Sequence, residues 1–326
     1  MKTLKHTLLA SLLCLVTPAL GVAAPKVVAS VKPVHSIVAA IMEGAGSPDL
    51  LVEGAGSPHA YSLKPSKARQ LEKADLVFWV GPGLESFLEK PLDALSGHAE
   101  VVELSTAQGV IRLPLREGGA FDAHDHDHEG GDHKDHAGAH GHDEHAHQDA
   151  HEHEGMDMHL WLDPDNARAI ARTVAAKLAA KDPANAALYD KNLKGFEQRM
   201  DALDSELKTS LGPVKDKPFI VFHDAYQYFE HHYQVAVAGS ITVSPDVAPG
   251  AERVAQVHGK VKSLSAACIF AEPQFPPKLI AVVAEGTDAR TGTLDPLGAD
   301  IKDGPDLYPT LMRNLAANLV KCLGQG

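Results

Sequence analysis

One apolar stripe limits what this chain can become. Between Asp182-Pro183 and Gly212-Pro213, the residues Tyr189, Leu193, Phe196, Met200, Leu203 and Leu207 recur at alternating spacings of four and three. That period marks the buried face of an α-helix. Proline is tolerated at a first helical position, and Gly-Pro is a stop. Residues 183–211 are therefore expected to form one rod of roughly 40 Å, at about 1.5 Å per residue.

On either side of this rod, short apolar runs alternate with helical patterns. Before it, residues 26–31 and 75–80 read as buried strands and 36–42 as a helix; Gly81-Pro82-Gly83 then precedes the helical ESFLEKPLDAL. After it, residues 219–222, 235–238, 267–271 and 290–294 read as strands. Strands that alternate with helices imply parallel sheets covered on both faces, and near-continuous apolar strands fit that burial. The expected fold is α/β: two lobes, 24–182 and 212–326, each a mostly parallel sheet flanked by helices and joined by the long rigid helix 183–211. In such sheets ligands bind beyond the C-terminal ends of strands.

The N-terminus reads as a signal peptide. Lys2 and Lys5 precede an apolar run from Leu8 to Val16, and Gly21-Val22-Ala23-Ala24 offers a cleavage site that removes residues 1–23. The run is shorter than the ~18 residues a membrane span needs. Bulky Leu12 and Leu13 before Cys14 argue against lipid attachment there. The expected location is the periplasm. Cleavage leaves Cys268 and Cys322, and an even pair in an exported protein points to a disulfide, with two buried thiols as the alternative. The bond would close a loop of about 55 residues, worth roughly 4 kcal/mol in the chain-entropy account.

Residues 122–155 break the alternation. They hold eleven histidines and one lysine against eleven acids, so they supply ten of the chain's thirteen net negative charges. The rest of the chain is mildly acidic and shows no basic patch for nucleic acid. Alanine is the largest apolar residue in the segment, which is expected to be a disordered insertion in the first lobe. Its histidines (His124, His126, His128, His133, His136, His140, His142, His145, His147, His151 and His153) are expected to be auxiliary, weak metal ligands. A solvating acidic spacer is the alternative.

Four residues outside the insertion stand where a sheet presents ligands. His59 follows the run 49–52, His159 precedes Asp163-Pro164, His223 closes the strand FIVFH, and Asp295 follows RTGTL. Three imidazoles and a carboxylate suit a tetrahedral metal site. Their wide separations match no short zinc motif, and any one histidine alone is more often a hydrogen-bonded structural residue. His35 reads as support near the first strand; His98, His231, His232 and His258 read as surface or helix positions.

The segments SPHAYSLKPSKARQL, ADLVFWVGPGLESFL, HLWLDPDNARAIA, FIVFHDAYQYFE, IFAEPQF and GTLDPLG, in that order, resemble the zinc-binding periplasmic component of bacterial zinc ABC transporters. That family belongs to the metal-binding cluster of solute-binding proteins. The resemblance covers residues 26–323 apart from the acidic insertion. It implies two α/β lobes on a rigid helix with metal between them, and a receptor that is not an enzyme. It makes Zn2+ the bound ion and the membrane permease of an ABC transporter the partner. A monomer is expected, with no small organic substrate. By resemblance, His59, His159 and His223 match the three histidine ligands, and Asp295 matches a carboxylate of related manganese binders.

Two positions depart from that pattern. Pro58 stands where some zinc members carry an acid, so Asp295 or a water must complete the shell. Pro65-Ser66-Lys67 replaces a PSD sequence, and Ser66 is expected to cap the next helix. Imidazole donors favour zinc and other late transition metals over manganese, and His223 stands where manganese relatives carry a glutamate. Two rival readings are an exported metallohydrolase, with water completing a shell of three histidines, and a zinc storage protein built around the insertion.

Overall fold

A computed structural model describes residues 24–116, 155–242, 245 and 249–325. The signal segment and all eleven histidines of the insertion lie outside the described residues.

The first lobe is a parallel sheet in the order β2-β1-β3-β4, built from β1 (Val27–Ala29), β2 (Asp49–Leu50), β3 (Leu76–Trp79) and β4 (Glu100–Glu103). Helices α1 (Lys32–Met42), α2 (Pro65–Glu72), α3 (Glu89–Leu95) and α4 (Pro164–Lys181) flank it. Helix α1 starts four residues earlier than its pattern predicts, because Pro33 sits in the first turn, where its missing N–H costs nothing. Ser66 does not cap α2: Lys64 is the N-cap residue, Pro65 opens the helix, and no side chain bonds the free amides. Strand β4 escapes the sequence reading because it lies at the sheet edge, flanked by acids, with Val101 exposed and only Val102 turned inward.

Helix α5 (Ala186–Leu211) is entered through a 3-10 turn at Pro183–Asn185. Of its predicted stripe, Tyr189, Phe196, Met200, Leu203 and Leu207 are buried and Leu193 is partly buried.

The second lobe repeats the plan in the order β6-β5-β7-β8, again all parallel. Its strands are β5 (Phe219–His223), β6 (Val237–Thr242), β7 (Cys268–Ala271) and β8 (Arg290–Thr293). Its helices are α6 (Gln227–Tyr233), α7 (Ala251–Ser263), α8 (Lys278–Ala284) and α9 (Leu307–Leu323). Cys268 and Cys322 form the expected disulfide, which ties β7 to α9.

What joins the lobes is a core, not a linker. Helix α5 packs on α4, α1 and α9, and one continuous apolar cluster runs from Val27, Ile37 and Phe78 to Phe219, Tyr308 and Leu319. Each large side chain in it is worth about 1.5–3 kcal/mol of burial. Swinging one lobe away would expose several at once, so the cleft between the sheets is held rigidly.

Candidate metal centre

The structure brings His59, His159 and His223 together and gives each a different local support. His59 lies in a 3-10 turn, Pro58–Ala60, after β2 and is half-buried. His159 precedes the 3-10 turn Leu160–Leu162 that leads into α4, and His223 ends β5; they are 7% and 4% exposed. Nε2 of His159 is 3.4 Å from Nε2 of His59 and 3.3 Å from Nε2 of His223. Two nitrogens each about 2.05 Å from a tetrahedral ion stand about 3.3 Å apart, so these separations are the edges of a zinc tetrahedron.

The other ring nitrogens explain why Nε2 faces inward. Asp157 Oδ1 lies 2.7 Å from Nδ1 of His159 and also accepts from its backbone N–H. Glu272 Oε1 lies 2.7 Å from Nδ1 of His223. Each carboxylate requires a hydrogen on Nδ1, which leaves the Nε2 of a neutral ring as a bare lone pair. Lone pairs aimed at one another across 3.3 Å repel unless a cation or a proton lies between them. The two buried carboxylates carry two negative charges, which a divalent ion balances.

Protonation follows the same surroundings. Burial, with its two neighbouring imidazoles, pushes the pKa of His59 down to about 2. Burial works against charge on His223, but the carboxylates of Glu272, Asp224 and Asp157 together outweigh it and hold the pKa above its ordinary value. In the metal-free protein a proton on His223 Nε2 can therefore occupy the gap to His159.

The three rings line a small pocket with a volume of about 10 Å3, on the scale of one ion or one water. Trp161, Phe275, Pro296 and Leu297 wall it. The Trp161 indole N–H donates to the Pro296 carbonyl at 2.8 Å, and so holds a second-lobe loop against a first-lobe residue.

Asp295 is not in the cluster that His59, His159 and His223 form. Its carboxylate accepts instead from Gln274 Nε2 and from the amides of Leu297, Gly298 and Ala299, at 2.6–3.0 Å. These bonds organise the loop that carries Pro296 and Leu297. Pro58 is buried and offers no donor.

His35 lies away from the centre, its Nε2 3.1 Å from the Pro48 carbonyl, and His98 and His231 are exposed. His258 contacts the Glu285 carbonyl from α7. His232 is not a plain surface residue. Its Nδ1 is 3.2 Å from Asp163 and its Nε2 is 2.8 Å from Asp204, so carboxylates face both nitrogens. Only the imidazolium satisfies both; burial opposes that charge, and the two aspartates overcome it and raise the pKa. The ring thus ties α6 to α4 and α5 as a cation.

Asp157 and Glu272 escaped the sequence reading. Glu272 follows β7 as His223 closes β5, so the strand-end rule could have marked it.

The family model for the periplasmic zinc-uptake complex component A matches residues 27–322. The high-affinity zinc uptake system protein ZnuA of Brucella suis biovar 1 is 52% identical over 92% of this chain and 92% of its own length. The ZnuA of Yersinia pestis is 39% identical over 99% of this chain and 98% of its own. A crystal structure of a ZnuA deletion mutant with zinc bound is 25% identical, has a TM-score of 0.72, and matches 92% of this chain and 98% of that one. TroA, the periplasmic zinc-binding protein of Treponema pallidum, shares the fold at a TM-score of 0.73 and 20% identity, over 92% of this chain and 99% of its own. The family model spans both lobes, and the chain belongs to the zinc-uptake component A (ZnuA) family.

Proposed function

We propose that this chain is the zinc-binding receptor of an ABC importer, taking Zn2+ from the periplasm at His59, His159 and His223 and delivering it to the membrane permease. One observation carries the ligand assignment: Nε2 atoms converge at the edge length of a zinc tetrahedron, with Asp157 and Glu272 holding two of the rings by their far nitrogens. The relatives named as high-affinity zinc uptake proteins support zinc as the cargo. A fourth position is left for a water or for Oδ2 of Asp295, which accepts only the Ala299 amide while Oδ1 takes the other three bonds.

Three histidines and a water are also the form of a catalytic zinc site. Family membership, which is that of a transporter component, does not favour the metallohydrolase reading. The eleven histidines of residues 122–155 serve as auxiliary, weak sites that raise the local zinc concentration. A zinc titration of the mature protein with and without residues 123–155 tests this division. Deletion should leave one tight equivalent and remove the weaker ones. Loss of the tight equivalent would place the main site in the insertion and support storage as the function.

A further inference from the structure

His159 and His223 belong to different lobes, so their 3.3 Å spacing depends on a contact that neither chain segment makes alone. Beside the shared core and the Trp161–Pro296 bond, the hydroxyl of Tyr228 makes such a contact next to the ligands. Tyr228 lies on α6, five residues after His223, and is fully buried. Its oxygen accepts from the Leu113 amide at 2.9 Å, and its O–H donates to the Asp157 carbonyl at 2.7 Å.

Those two partners form a short antiparallel pairing in the first lobe. Asp157 N–H donates to the Leu113 carbonyl at 2.9 Å, Leu115 N–H donates to the Gly155 carbonyl at 2.7 Å, and Pro114 faces Met156. Asp157 is also the residue whose carboxylate holds His159. The path from one ligand to the other thus runs His159, Asp157, the Tyr228 hydroxyl, α6, His223. A second tie lies beside it, where the Arg116 guanidinium reaches Asp224 at 3.0 and 3.1 Å and Glu230 at 2.7 Å.

We infer that Tyr228 is a positioning residue for metal binding, whose hydroxyl sets the spacing of His159 against His223 across the two lobes. The inference rests on the zinc-receptor reading above. A phenol fits here because it adds no charge beside Asp157 and Asp224, and its one donor and one acceptor function are both used. Its rigid ring loses little freedom on being fixed. Phenylalanine would fill the same volume but leave the Leu113 amide and the Asp157 carbonyl without their shared partner.

Tyr228→Phe compared with Tyr189→Phe provides the test. Tyr189, on α5, is an equally buried tyrosine whose hydroxyl donates to Asp182 at 2.8 Å and makes no contact with His59, His159 or His223. Zinc affinity, the visible spectrum of the Co2+-substituted protein and the metal-free Tm are measured for both variants and for wild type. Tyr228→Phe should weaken zinc about tenfold, the low end of the cost of losing an outer partner of a ligand. It should also change the tetrahedral Co2+ bands, while Tyr189→Phe lowers Tm and leaves both metal readouts at wild type. Matching metal readouts in the two variants would overturn the positioning role and leave the receptor reading intact. A wild-type protein without tetrahedral Co2+ bands would overturn both. Should Tyr228→Phe fail to fold, amide exchange at Leu113 in the wild-type protein decides: zinc should slow it, and no change on zinc binding would count against the role.

Discussion

The Glu272 carboxylate lies 2.7 Å from Nδ1 of His223, on the side of the ring away from the cleft. It fixes the tautomer, orients the ring and makes Nε2 a better donor to a metal. Glu272→Gln keeps the shape but removes the charge. We expect it to weaken zinc about 10–100-fold with little change in fold, measured by competition with a chelator. Unchanged affinity would mean that the ring is aimed by its strand alone.

The same carboxylate is the strongest of those that set the pH dependence. His223 has a pKa above its ordinary value in the metal-free protein, and an imidazolium cannot bind zinc. Zinc must displace that proton, so affinity should fall as pH drops through the raised pKa and level off above it. His59, pushed to about 2, adds no proton competition near neutrality. Calorimetry in buffers of different ionisation enthalpy should detect proton release on zinc binding, and Glu272→Gln should reduce it near neutral pH. Release that is equal in wild type and variant would contradict this.

Asp295 separates two roles that look alike in sequence. As a loop organiser, it holds the amides of Leu297, Gly298 and Ala299. Asp295→Ala should then cost about 2 kcal/mol of stability, with a secondary loss of affinity, and Asp295→Asn should restore part of both. A ligand would behave differently: Asn and Ala would lose the same affinity with Tm unchanged. Thermal melts and zinc titrations on the pair distinguish the cases.

A buried acid in the first lobe makes a prediction independent of metal. Burial raises the pKa of Glu85 from 4.5 to about 7, against bonds from the amides of Val80 and Gly81. Between those values the folded protein keeps a proton that the unfolded chain has lost. Stability should therefore be greatest below about pH 4.5 as far as this group is concerned, and fall by about 3 kcal/mol as pH rises through 7. Glu85→Gln should remove that slope from denaturant melts taken at several pH values.

Much of the site was legible because it depends on local features. His223 closes an apolar run, and the stripe on α5 has a helical period, so both could be read along the chain. The four strands of the second sheet were found within two residues at their starts. What could not be read was orientation. Nothing local shows that Asp295 turns its oxygens back onto its own loop, or that Asp157 and Glu272 stand behind two of the rings. His232 looked like a surface position because Asp163 and Asp204, the groups that charge it, lie on or beside other helices. Strand β4 lacked the two-sided burial that marked the others.

As proposed for this chain, His59, His159 and His223 share one zinc ion. The most direct test is a zinc titration of protein lacking residues 123–155, alone and with His59→Ala, His159→Ala or His223→Ala. The parent should bind one equivalent tightly, and each substitution should weaken it by more than the roughly 100-fold that loss of an outer partner costs at most. If any two of the three variants kept the parent's affinity, zinc would have to be held elsewhere.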